Sequence, residues 1–214
     1  MVKIKPILFS TDMVKSIING IKTKTRRTKG LEDLLESKYV YQGIPDGLSN
    51  THVFARMWKG HWVETIHKFC PYGNVGDILW VRETFREIEQ DYGEPRYEYK
   101  SIEKINLSDK WKPSIFMPKK ACIIFLQIKS VTVERLQDIS ESDAIAEGIE
   151  MTWIHNDIKQ CMFKNYINHG RGSLYPIESF KSLWESINGK GSIDSNPWVW
   201  VIEFEKIEKP DNFI

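Results

Sequence analysis

This sequence has few cysteines, almost no net charge and no long apolar run. The three cysteines, Cys70, Cys122 and Cys161, are odd in number and irregularly spaced, which argues against a disulfide framework. The formal net charge is +1, so no global field draws the chain onto nucleic acid, and any basic site must be local. No apolar stretch approaches the roughly 18 residues that a membrane span needs. The N-terminal residues Met1-Val2-Lys3-Ile4-Lys5-Pro6 lack the apolar core and cleavage site of a signal peptide. These absences predict a cytoplasmic protein with no membrane partner. Internal repeats and low-complexity tracts are missing too, and the 214 residues are expected to form one domain over 1–214.

What is present is the composition of a globular protein, 41% hydrophobic and 28% charged. The charge concentrates at one place. Residues 22–29 hold five cations, Lys22, Lys24, Arg26, Arg27 and Lys29, with Thr23 and Thr25 interleaved. Such a run can hold phosphates, activate a threonine hydroxyl, or be a solvated loop. It follows a helix with apolar positions Met13, Val14, Ile17, Ile18 and Ile21. Asn19-Gly20 ends that helix, and the plain reading of some of these cations is that they meet the negative end of its macrodipole.

Along the chain, 4–9 reads as a strand. Residues 31–37 read as a short helix, and 41–50 are turn-rich. Residues 31–69 form an irregular insertion, aromatic and basic, suited to a lid or pocket wall. A turn cluster at 70–77 precedes a strand over 78–85. A short strand is expected at 97–100 and an extended proline-framed segment at 111–118. The longest β signal spans 121–134. Ser140 starts a helix that Gly148 ends. Residues 151–175 read as a second, partly helical insertion, 177–187 as a helix, and 197–207 as the final strand. The fold class is therefore α+β with a small barrel.

Several stretches, in order, resemble the ASCH-domain family of the PUA-like superfamily. They are Gly20-x-Lys22-Thr23-x-Thr25-x-Arg27, Gly76-Asp77-Ile78-Leu79, Val131-Thr132-Val133 with Leu136-Gln137-Asp138-Ile139, Asp143-Ala144-x-Ala146-Glu147-Gly148, and Val199-Trp200-Val201-Ile202-Glu203-Phe204. Cys70-Pro71-Tyr72-Gly73-x-x-Gly76-Asp77 is similar to longer, phage-type members. The resemblance covers most of the chain outside 31–69 and 151–175. It implies a PUA-like small β-barrel flanked by helices. It also implies a partner that is a modified nucleoside or nucleic acid, and no cofactor or metal. One small bacterial member hydrolyses the acetyl amide of N(4)-acetylcytidine, and its catalytic lysine, threonine and glutamate fall on Lys22, Thr25 and Glu147.

That chemistry needs a nucleophile, a base and a proton donor. Thr25 supplies a hydroxyl. Lys22 serves as base only if its pKa, ordinarily about 10.4, falls. Burial and neighbouring cations lower it, while a nearby Glu147 raises it. If Glu147 is ionised beside Lys22, the roles exchange: Glu147 activates Thr25 or water, and Lys22 stabilises the oxyanion. Glu147 sits where a helix macrodipole disfavours a carboxylate, which is a functional hint. The plain alternative is a solvent-facing glutamate. Lys24, Arg26 and Arg27 are the substrate- or phosphate-binding candidates. A non-catalytic RNA- or DNA-binding module is the second reading. A nuclease ranks last, for want of clustered acids.

His67-x-x-Cys70, with His52 and His61 upstream, looks like half a zinc site without its second half. Trp58, Trp62 and Trp111 are base-stacking candidates, with Trp153 a further tryptophan to consider. Trp80, Trp198 and Trp200 are assigned to sheet packing. Cys122 is expected in the core.

Overall fold

The computed structural model describes residues 2–34, 39–45, 50–90, 92–102, 110–153, 161–168 and 172–213, with residues 57, 153 and 161 described in backbone only. In chain order the elements are β1 (Ile4–Leu8), α1 (Thr11–Ile18), β2 (Lys24–Arg27), β3 (Tyr39–Gly43), β4 (His52–Trp58), β5 (His61–Lys68), β6 (Ile78–Arg82), β7 (Phe85–Ile88), β8 (Arg96–Tyr99), β9 (Phe125–Arg135), α2 (Glu141–Ala146), β10 (Met151–Trp153), β11 (Cys161–Phe163), α3 (Pro176–Asn188) and β12 (Trp198–Ile207). The architecture is α+β, mostly sheet. Among the described residues, no helix is long and apolar enough to cross a membrane.

The main sheet has five strands in the order β1-β6-β9-β12-β2. β1 and β6 are parallel and the other pairs antiparallel. β1 and β2 are its edges, and among the described residues no ladder joins them into a closed barrel. The apolar pattern of β9 and β12 makes them central. Their long ladder carries one irregularity at Glu203/Phe204, the local kink by which a strand bends.

Helix ends follow local chemistry. Ser10 Oγ accepts the Met13 N–H of α1, and Ser140 Oγ accepts the Asp143 N–H of α2 at 3.1 Å. α1 buries Val14 and Ile17. Ile18 and Ile21, expected on its core face, are exposed. α3 begins with Pro176, whose missing N–H costs nothing at a first turn. It buries Phe180, Leu183 and Trp184 against Val199 and Val201 of β12.

The basic run is not a loop. Lys24–Arg27 is the edge strand β2, with Trp200 opposite Arg27 and Glu203 opposite Lys24. The irregular insertion expected over 31–69 contains the antiparallel meander β3-β4-β5. Its central strand β4 buries His52, Val53, Phe54 and Ala55, and Phe54 packs edge-on against Trp198 at 5.4 Å. The helix expected at 31–37 is a single 3₁₀ turn, Glu32–Leu34, and its end lies outside the described residues. The helical character expected within 151–175 is absent from the described residues. There β10 and β11 pair as a hairpin, Met151 opposite Phe163. β9 starts later than expected because Lys119–Ala121 forms a 3₁₀ turn. Ala121, Cys122 and Ile124 are buried without joining the strand. The strand expected over 78–85 breaks after Arg82 and resumes as β7, and the extended segment at 111–118 contains a 3₁₀ turn, Ser114–Phe116.

Candidate functional site

The side chains of the basic run turn inward as well as outward. Lys22 is 2% exposed, Arg26 4% and Glu147 3%, so neither the solvated loop nor the solvent-facing glutamate describes them. Glu147 caps the C-terminal end of α2. Gly148 follows at φ +83°, and a Cβ there would lie 2.7 Å from Lys22 Cβ and 2.9 Å from Ser16 Cβ. Only glycine lets α2 end this close to Lys22. Backbone bonds hold the basic run to both helices: Thr23 N–H to Ala146 O of α2 at 2.9 Å, and Lys22 N–H to Ser16 O of α1 at 3.1 Å.

Lys22 Nζ donates to Glu147 Oε2 at 2.8 Å, to the Glu147 carbonyl at 2.7 Å and to the Lys24 carbonyl at 2.8 Å. Three acceptors match the three N–H bonds of an ammonium. Burial pulls the Lys22 pKa below its ordinary value. Glu147 opposes the shift, and Arg27 and Arg26 reinforce it.

Arg26 NH1 donates to Glu147 Oε1 at 3.1 Å, Nε to Glu134 Oε1 at 2.8 Å and NH2 to Asp143 Oδ2 at 3.1 Å. Burial lowers its pKa, but Glu147 and Glu134 outweigh that and raise it. Lys24 Nζ reaches Asp143 Oδ1 at 2.7 Å. Lys22, Lys24 and Arg26 are thus neutralised by Glu147, Asp143 and Glu134. Arg27 differs. Its NH2 donates to the Leu8 carbonyl at 2.7 Å, its guanidinium lies 5.2 Å from the Phe9 ring centroid, and among the described residues it has no carboxylate partner. Burial pulls its pKa down.

A cavity of about 170 Å³ opens on this layer, lined by Thr25, Arg26, Arg27, Glu147, Tyr72 and the α3 residues Phe180 and Trp184 among others. Typical pockets for drug-sized ligands span roughly 300–1,000 Å³, so this one encloses a ring-sized part of a ligand, and the rest of a larger molecule would extend through its opening. Of the three expected catalytic residues, Lys22 and Glu147 are in direct contact. Thr25 shares the cavity with Glu147, and among the described residues its hydroxyl makes no hydrogen bond to either. Lys22 lies beneath the cavity rather than in its wall.

Sequence reasoning missed Asp143, Glu134 and the α3 wall. Asp143 stands at an N-cap motif, which disguised its ionic role. Trp184 carries the helical spacing of a core residue, and nothing in that spacing marks a cavity.

The other candidates fall elsewhere. His52 is buried, hydrogen-bonded through Nδ1 to Tyr41 Oη at 2.9 Å and set edge-on to Trp200. Among the described residues, no group of three His, Cys, Asp or Glu side chains could hold a metal. Cys70 is buried, and burial pushes its thiol pKa up. Cys122 is buried as expected. Trp111 is covered by the Arg86 guanidinium, 5.0 Å from its ring centroid. Trp58 and Trp62, at 65% and 54% exposed, stand near the tip of the β4–β5 hairpin. The Trp153 side chain lies outside the described residues.

Fold and site together define an α+β protein with a buried lysine–glutamate pair whose glutamate lines a small cavity. No family model, curated protein or solved structure matches this chain.

Proposed function

We propose that this chain is an ASCH-type member of the PUA-like superfamily and hydrolyses the amide of an N(4)-acylated cytosine. The observation that carries this reading is the convergence of Glu147, held by buried Lys22, with Thr25 at one small cavity. The alternative, a non-catalytic grip on RNA or DNA, asks for free cations along an open groove. Pairing of Lys22, Lys24 and Arg26 with carboxylates favours a small ligand instead.

The roles follow from the hydrogen bonds. All three Lys22 N–H bonds are engaged by protein acceptors, so Lys22 stays an ammonium and fixes the Glu147 carboxylate. Glu147 is the base. With an amide in the cavity, Glu147 takes the Thr25 proton as Thr25 Oγ1 bonds to the acyl carbon. The C–N bond then breaks, and the proton passes to the leaving nitrogen. Water hydrolyses the resulting ester, releasing the acid and restoring Thr25. Arg26 orients Glu147 Oε1 from the other side.

The test is incubation with N(4)-acetylcytidine, following cytidine release. Wild type converts it, and Thr25→Ala and Lys22→Ala do not. Glu147→Gln lowers kcat by roughly 10²–10⁴-fold. Unchanged substrate with wild-type protein removes the substrate proposal.

A further inference from the structure

Two residues that line the cavity, Arg27 and Trp184, each carry a buried donor, Nε and Nε1, that makes no hydrogen bond among the described residues. Trp184 is 7% exposed. A buried N–H left unpaired costs about 1–3 kcal/mol, so two at one cavity call for a ligand that supplies oxygens. Charge narrows the choice. The neighbouring cations Lys22, Lys24 and Arg26 each have a carboxylate. Arg27 has a carbonyl and an aromatic face. An arginine does not shed its proton. Arg27 is half-buried, and the carboxylate that acts on it, Glu147, is already bonded to Lys22 and Arg26, so an added anion would give it a partner of its own. Lys29 also lines the cavity and adds to the positive potential there.

We propose that Arg27 and Trp184 form an anion subsite, and that the compound bound in this cavity carries a phosphate or carboxylate group. This rests on the reading of the cavity as the ligand site given above. In those terms the substrate is a cytosine nucleotide rather than the neutral nucleoside. The flat guanidinium offers an oxyanion an N–H in a fixed direction, and the indole N–H supplies a second, uncharged donor. The division of labour is then clear: Lys22, Arg26 and Lys24 are internal counter-ions that hold three carboxylates, and Arg27 faces the ligand.

The test reads binding without chemistry. The indole N–H signal of Trp184, assigned with Trp184→Phe, is followed by nuclear magnetic resonance as inorganic phosphate, acetate, cytidine or cytidine 5′-monophosphate is added to the full chain. Phosphate or acetate shifts that signal, and whichever acts identifies the anion. The monophosphate binds at least tenfold tighter than cytidine. Arg27→Gln and Trp184→Phe, each checked for folding by its thermal transition, weaken monophosphate binding at least tenfold. If Arg27→Gln does not fold, the wild-type titrations and Trp184→Phe decide. Equal affinity for cytidine and its monophosphate, or binding that Trp184→Phe leaves unchanged, overturns the subsite. Monophosphate binding without turnover of the N(4)-acetylated nucleotide would retain the anion site and remove the hydrolysis. Turnover of N(4)-acetylcytidine unaffected by phosphate would do the reverse.

Discussion

Two opposing forces act on the Lys22 proton. Burial favours the neutral amine, and three acceptors together with Glu147 favour the ammonium. Removing the lysine leaves Glu147 buried with Arg26 as its remaining cationic contact, in a layer that then carries an excess negative charge. Lys22→Ala is expected to cost about 3–5 kcal/mol of stability, as for a broken buried pair, measured by urea unfolding. Its loss of activity must therefore be read beside Thr25→Ala, which breaks no ion pair. Far from the cavity, Glu83 is 1% exposed and hydrogen-bonded by the Ser101 hydroxyl. Burial raises its pKa from the ordinary 4.5 to about 7. The folded chain then holds a proton that the unfolded chain releases above pH 4.5. This contribution to stability is complete below pH 4.5 and is lost as pH rises to about 7. It amounts to roughly 3 kcal/mol across that window. Glu83→Gln should flatten the stability–pH curve there; an unchanged slope would show that Glu83 does not carry it.

At the scale of elements, the site depends on an edge strand meeting the end of a six-residue helix. β2 takes its backbone bonds from β12, and α2 is fixed by its Ser140 cap and by packing on α3. Both helix boundaries were legible because caps are local chemistry: Ser140 and Gly148 mark them within the sequence. The conformation of β2 was not legible. Lys-Thr-Arg-Arg has no apolar alternation, and its partner β12 lies more than 170 residues away. Gly148→Ala tests the junction. Its φ of +83° and the 2.7 Å approach to Lys22 Cβ predict a loss of at least about 2 kcal/mol. If Lys22 is displaced, activity falls further than the lost stability explains, which is read from kcat at a temperature where the variant remains folded.

Over the whole molecule, the meander β3-β4-β5 joins the main sheet through one apolar face. Phe54 is fully buried in the largest core cluster with Trp200, Leu126 and Leu79. Phe54→Ala should cost about 3–5 kcal/mol, and hydrogen exchange should accelerate first in β3, β4 and β5. Uniform acceleration through the main sheet would instead make the meander part of one cooperative unit. The exposed Trp58 and Trp62 lie beyond this core, and replacing them should leave stability within about 0.5 kcal/mol.

The sequence alone determined what depends on neighbours along the chain. Apolar periodicity gave α1, α3 and the long strands β9 and β12, and cap residues gave the limits of α2. The motif around Lys22, Thr25 and Glu147 raised the question of their meeting. Tertiary structure decided which charges cancel. Glu134, Asp143 and Glu147 come from β9 and the α2 region to meet cations of β2 and Lys22, and only that pairing singles out Arg27. Coulomb and desolvation energies depend on distance in space and on access to water, and a one-dimensional pattern fixes neither.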